Sequence, residues 1–269
     1  MRSLPEYGTI RYAADGGIRT VVLNRPRSLN AINTAMLKEL GEVVDACSGD
    51  PGARVLIVKG EGGNFSAGAD VKERAEHSES PDARRARSLD YLMLGHDVFG
   101  RLMDLPLPVI AQVEGYCLGG GLELALRCDV RIASEDAKLG LPEARVGVFP
   151  AFGGTQVVPR FAGPGRAKYL MFTGEHVGGR AAMSMGLVDE VVRQSEVEGR
   201  TSELARKVAQ NAPLALRHIK SLVNRSLRTP PAEGMLLEIN SAYENMSSDD
   251  FVEGAKAFAE KRKPEYRGR

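Results

Sequence analysis

The sequence predicts an α/β core followed by a helical C-terminal region, and three observations carry that prediction. Twice, a short apolar run that reads as a buried strand passes into a glycine-rich loop and then a helix, through residues 55–74 and again through residues 109–127. A third loop sets an acid in Leu139-Gly140-Leu141-Pro142-Glu143, ahead of GVFPAFGGTQ. From Ser202 the composition changes, and residues 202–260 are almost all helix formers, with breaks at Asn211-Ala212-Pro213 and Thr229-Pro230-Pro231. The core is therefore assigned to residues 1–197 and the helical region to residues 198–269, a length that suits one large core with an appendage.

The elements follow in order. Residues 18–23 (IRTVVL) read as a strand after the Asp15-Gly16-Gly17 turn, and Pro26 excludes a continuing central strand. Met36, Leu37, Leu40, Val43, Val44 and Cys47 recur at the spacing of a one-sided helix over 34–47. Asn33 or Thr34 can cap it, and Asp50-Pro51-Gly52 stops it. Residues 55–58 (VLIV) form the next strand. Residues 76–88 are polar and apolar-poor, and read as a mobile surface segment or an irregular helix start. A helix over 89–105 has its core face at Leu89, Leu92, Met93, His96, Phe99, Leu102 and Met103, and Pro106 and Pro108 end it. Val109–Val113 is a buried strand before the Glu114-Gly115 break, and the stretch from Gly119 to Ile132 reads as turn, helix, strand. Short helices are expected at GGTQ, 167–172 and 180–185, and a strand at 187–192.

Composition excludes several classes. A net charge of +1 gives no basic face for nucleic acid or an anionic membrane surface. No run approaches the ~20 apolar residues of a membrane span, and MRSLPEYGTIRYAADGG has no apolar signal-peptide core. Cys47, Cys117 and Cys128 form no CxxC pair, and read as buried thiols in a reducing compartment, the cytoplasm. The four histidines are scattered with no HExxH, so no metal site is expected. GxGxxG and P-loop patterns are missing, and Asn64-Phe65-Ser66-Ala67-Gly68 lacks the first glycine of GxSxG.

The chemistry concentrates in the glycine loops. Gly119-Gly120-Gly121 runs into LELALR, and a glycine run opening a helix leaves backbone N–H groups unpaired at the positive end of the helix dipole. Such a place can hold a developing negative charge. Glu123, one turn inside, is either a partner for that dipole or a catalytic carboxylate.

Five segments resemble the crotonase superfamily, the enoyl-CoA hydratase/isomerase family: NRPRSLNAI (24–32), FSAGADVKE (65–73), GYCLGGGLELAL with CD (115–129), LPEARVGVFP with FGGTQ (141–156), and the closing AFAEKRKPEYRGR. The resemblance implies a crotonase-like spiral of repeated ββα units with C-terminal helices that serve trimerisation, as a homotrimer or a homohexamer built as a dimer of trimers. It implies hydration of a 2-enoyl-CoA, with the N–H groups of Ala69 and Gly120 stabilising the enolate, Glu123 as water-activating base and Glu143 as proton donor. Coenzyme A arrives as part of the substrate, no separate cofactor being implied. Its binding falls by resemblance on Arg27, Ser28 and Leu29 and on the loop of Ala67, Ala69, Asp70, Val71 and Lys72, with Arg27 and Lys72 facing phosphates. Phe258 and Lys261 match positions that reach a neighbouring subunit's ligand. Two departures stand out: Leu141 where many hydratases have Gln, and Ala151 where they have Gly. The first removes a polar group near the acid and the second adds a methyl near the water, and both count against efficient hydration of simple short enoyl-CoAs. The alternatives are an enoyl-CoA isomerase, another acyl-CoA lyase or hydrolase of the family, and a non-catalytic acyl-CoA- or RNA-binding relative.

Overall fold

In a computed structural model, residues 6–75 and 80–269 are described. Six strands form the main sheet: β1 (Ile10–Asp15), β2 (Ile18–Leu23), β3 (Val55–Gly60), β4 (Val109–Val113), β6 (Val130–Ser134) and β9 (Glu190–Val192), in the order β1-β2-β3-β4-β6-β9. β1 and β2 pair as an antiparallel hairpin, and every later pairing in this sheet is parallel. Parallel strands covered on both faces read as near-continuous apolar runs, as VLIV does and as VIAQV does apart from Gln112. The two faces separate with the period of two that a strand imposes. Leu56, Val58, Val109, Ala111 and Val113 join the main core under helices α1 (Thr34–Ser48) and α3 (Pro81–Met103). Val55, Ile57, Ile110 and Ile132 face the other way, onto Ala205 of helix α7 (Val197–Ala209).

A second sheet carries the spiral. It contains β5 (Tyr116–Leu118), β7 (Lys138–Gly140) and β8 (His176–Gly178), with β5 and β7 parallel and β8 antiparallel to β7. Single bridges extend it, Ser66 to Cys117 and Ile32 to Ala69. After β3, β4 and β6 the chain thus leaves the main sheet, makes a short stretch in the second layer and enters a helix, a repeated ββα unit. At the step from β4 to β5, Gly115 has φ 51° and a Cβ there would lie 2.2 Å from the Gly63 carbonyl, so only glycine fits.

The remaining helices are α2 (Val71–Ala75), α4 (Gly120–Ala125), α5 (Gly154–Thr173), α6 (Gly179–Ser184), α8 (Pro213–Ser226), α9 (Pro231–Met246) and α10 (Asp249–Ala259). α5 is two helical pieces joined at a non-helical Gly163, beside Pro159 and Pro164, in keeping with the two short helices expected there. α7 lies along the main sheet as core, so the helices standing off the core are α8, α9 and α10. α8 is tied down by Lys220, whose Nζ bonds the Leu107 carbonyl at 3.0 Å and pairs with Asp129 at 2.8 Å. Cys47, Cys117 and Cys128 are buried free thiols. Among the described residues no helix is long and apolar enough to cross a membrane.

The segment expected to be mobile is corrected in part. Residues 76–79 lie outside the described residues, but α3 begins at Pro81, with the Ser80 Oγ accepting from the Ala83 N–H at 3.2 Å. A capping serine with proline at the first helical position is a start signal that the polar composition hid. The core face of α3 is also rotated from the expected one. Tyr91, Gly95, Val98, Phe99 and Leu102 are buried, whereas Leu89 and Met93 are exposed. Leu139 and Gly140, read as part of a turn, belong to strand β7.

Candidate active site

The two glycine loops meet. In the first, Ser66 is fully buried; its Oγ donates to the Asn30 carbonyl at 2.8 Å and accepts from the Gly68 N–H at 3.1 Å. The Ile32 N–H bonds the Gly68 carbonyl at 2.8 Å, and the Asp70 N–H bonds the Ile32 carbonyl at 2.9 Å. These bonds consume the groups on either side of Ala69 and turn its own N–H away from Ile32. In the second loop, the Gly119 N–H donates to the Gly140 carbonyl at 2.9 Å, and the Glu123 N–H to the Gly119 carbonyl at 3.0 Å. The Gly120 N–H is one of the orphan donors at the start of α4. Among the described residues neither the Ala69 nor the Gly120 N–H has a hydrogen-bond acceptor. The loops touch closely enough that a Cβ on Gly68 (φ 98°) would lie 3.2 Å from the Gly120 nitrogen, and one on Gly120 would lie 3.4 Å from the Ala69 nitrogen. Two free N–H groups therefore flank one small space.

Two carboxyls converge on this step. Glu123 is only 3% exposed, and its Oε1 accepts from the Phe152 N–H at 2.8 Å and the Gly154 N–H at 2.6 Å. Burial pushes its pKa up to about 7, against the pull of those two N–H groups and of Arg127. Glu143 opens a 3-10 turn, Glu143–Val146, and its carboxyl packs on Gly119, where a Cβ would lie 3.0 Å from Oε1. Its Oε2 is buried with no hydrogen-bond partner among the described residues. Burial, with the charge of Glu123 added, pushes Glu143 up to about 7 as well.

Beside the N–H pair stands Phe152. Its ring would be 3.2 Å from a Cβ on Gly120, and its centroid is 5.2 Å from those of Tyr91 and Phe99. His96 of α3 donates from Nε2 to the Ala151 carbonyl at 2.8 Å, fixing the turn before it. Leu141 is fully buried in the main core, so its side chain packs with apolar neighbours.

The residues named for coenzyme A fall into three groups. Arg27 and Ser28 lie on an exposed 3-10 turn, Pro26–Ser28, and Leu29 follows it with φ 51°. The Leu29 carbonyl accepts from the Ala67 N–H at 2.9 Å, so this turn and the loop 67–72 do come together. Val71 and Lys72 are exposed at the start of α2. Asp70 has partners in the loop itself and in Arg25. Its carboxylate pairs with Arg25 at 2.8 Å and accepts from the Lys72 and Glu73 N–H groups, so it braces the loop. The Arg25 pair and these N–H groups hold its pKa below the ordinary value in spite of burial. Phe258, on α10, is 88% exposed, and Lys261 lies just past that helix. The sequence reading missed the bracing set: Arg25, Ser66, and Arg127 with the N–H groups it supports. The one available signal was Arg127, the single basic residue inside LELALRCD.

Comparison with known proteins agrees with this geometry. The family model for enoyl-CoA hydratase/isomerase matches residues 13–269. The chain is 38% identical over 261 residues to a short-chain-enoyl-CoA hydratase of Clostridium acetobutylicum, covering 97% of this chain and 98% of that one. It is 39% identical over 261 residues to a probable enoyl-CoA hydratase of Bacillus subtilis, covering 96% and 98%. The crystal structure of an enoyl-CoA hydratase from Bacillus anthracis matches with a TM-score of 0.92 at 36% identity, covering 97% of this chain and 100% of that one. The chain belongs to the enoyl-CoA hydratase/isomerase family, within the crotonase superfamily.

Proposed function

We propose that the protein adds water across the C2–C3 double bond of a 2-enoyl-CoA. The observation that carries this reading is a pair of acids in unequal surroundings beside two free N–H donors. Glu123, which accepts two N–H bonds and feels a cation, is the better anion. Glu143, with one oxygen buried and unbonded, is the better acid. Ionised Glu123 takes a proton from water as its oxygen bonds to C3. The double-bond electrons move onto the thioester oxygen, where the Ala69 and Gly120 N–H groups receive the charge. Glu143 then gives its proton to C2. Charge on Glu123 favours the protonated form of Glu143, and since the addition leaves Glu123 protonated and Glu143 ionised, one proton lost from Glu123 and one gained by Glu143 reset the pair for the next turnover.

The exposed turn of Arg27, Ser28 and Leu29 and the loop 67–72 form the coenzyme A cradle in this reading, with Arg27 and Lys72 toward phosphate and Phe258 and Lys261 supplied by a neighbouring copy. Exposed Ile219, Val223, Leu236, Ile239 and Tyr243 on α8 and α9 support burial against other copies, as a trimer or a dimer of trimers. Three buried free thiols suit a reducing compartment such as the cytoplasm.

The test is a panel of 2-enoyl-CoA thioesters from four carbons upward, followed by loss of the conjugated thioester absorbance, with double-bond migration measured in parallel. Hydration of at least one member is expected. Migration without hydration would reassign the reaction as isomerisation.

A further inference from the structure

Arg127 follows helix α4 and is largely withdrawn from solvent. Its Nη2 donates to the Phe152 carbonyl at 3.2 Å, and its Nη1 reaches the Met103 sulfur at 3.5 Å. Its Nε is buried with no hydrogen-bond partner among the described residues. Next to it Gly153 has φ 103°, and a Cβ there would lie 2.2 Å from Nη2, so the guanidinium sits directly against the turn. That turn offers its carbonyl side to Arg127 and the N–H groups of Phe152 and Gly154 to Glu123. The charged groups facing Arg127 are Glu123 from the helix before it, Asp104 after α3 and Arg228 after α8. Those facing Glu123 are Arg127 and, from the turn after β7, Glu143; His96 holds the neighbouring Ala151 carbonyl from α3.

We propose that Arg127 is a positioning residue, clamping the 152–154 turn onto Glu123 and supplying the positive charge that favours Glu123 as the ionised base. Burying a cation without a well-formed carboxylate pair is costly. Burial lowers the pKa of Arg127 itself, so the guanidinium is held at a cost where its field reaches the base. Glu143 has no such cation among the groups acting on it, which separates the two acids. The inference rests on the hydratase reading for its kinetic consequence but not for its electrostatic one.

The experiment compares Arg127→Met and Arg127→Lys. Methionine keeps the apolar length and removes both the fork and the charge. The acidic limb of kcat/KM against pH is expected to move up by about half to one pH unit, with kcat falling about tenfold. Lysine keeps the charge and loses the planar fork, so the limb stays in place while kcat still falls by several-fold. An Arg127→Met enzyme with an unmoved limb and a kcat within about twofold of wild type overturns the proposal. Should circular dichroism show Arg127→Met unfolded, Arg127→Lys decides: wild-type kcat there overturns the clamp. An infrared titration of 13C-glutamate protein, with the Glu123 band assigned by its loss in Glu123→Gln, reads the same displacement without substrate. If wild type hydrates nothing, the hydratase reading fails, and this titration still judges Arg127.

Discussion

Glu123→Gln separates what the acid does for chemistry from what it does to the fold. Glutamine can keep accepting from the Phe152 and Gly154 N–H groups through its own oxygen, so the turn is preserved. Proton transfer is lost, and kcat is expected to fall ~10²–10⁴-fold. Stability should move the other way. The native pKa is raised from 4.5 to about 7, so between these values the folded state binds more protons than the unfolded state. Wild-type stability therefore falls as pH rises through that window, and stays at its lowered level above about 7. At about 1.4 kcal/mol per pH unit of displacement, the penalty at pH 8 is on the order of 3 kcal/mol. Glu123→Gln should escape it. Its midpoint of denaturant unfolding should exceed that of wild type at pH 8, with the gap closing as pH falls towards 4.5. A gap that is independent of pH, or of opposite sign, refutes burial as the source of the raised pKa. Normal hydration by the folded variant refutes Glu123 as the base.

Four further outcomes follow from the same geometry. Glu143→Gln should also lose hydration, and the double Gln variant should fall little below either single one, because the two acids serve one addition; steady-state rates of the four proteins check this. For wild type, kcat/KM should peak near pH 7, falling on the acid side as Glu123 protonates and on the alkaline side as Glu143 ionises. Gly68→Ala adds a Cβ 2.8 Å from the Leu118 carbonyl and 3.2 Å from the Gly120 nitrogen, at φ 98°; kcat should drop ~10²-fold with coenzyme A binding kept, as calorimetry and kinetics together can show. Ile219→Asp with Val223→Asp should lower the mass found by light scattering to that of a smaller assembly or a monomer, since both side chains are exposed on α8.

What was legible in the sequence was chemistry carried by the backbone. A donor pair needs glycine where two loops touch, and Gly68 and the Gly119-Gly120-Gly121 run record that need directly. The central strands were legible for a related reason, since burial on both faces leaves mostly apolar runs at β3 and β4. Strands β5, β7 and β8 span three residues each, too short for a period of two to register, and they escaped. The face of α3 was misplaced because Leu89 and Met93 fit a helical stripe yet stand exposed, while the buried Gly95 accommodates the Phe152 ring. Arg25 and Ser66 were invisible because each acts through a partner distant in sequence, and Arg127 showed only as a basic residue whose partner Phe152 lies 25 positions on.

The site divides into a part that cannot vary and a part that can. The N–H pair is held by backbone bonds, by the Ser66 hydroxyl and the Asp70–Arg25 pair, and by one buried amide: the Asn30 side chain accepts from the Arg25 N–H and donates to the Glu61 and Asn64 carbonyls. Donors fixed this way need no reorganisation when charge develops on the thioester oxygen, which is where preorganised dipoles contribute most. Beside that pair the rings of Phe152, Tyr91 and Phe99 pack together, and the Tyr91 hydroxyl donates to the Ile32 carbonyl at 2.7 Å. Phe152 belongs to both parts, because its N–H holds Glu123 while its ring fills space beside Gly120. Side-chain changes at 152 therefore leave Glu123 held, since the bond to it comes from the backbone.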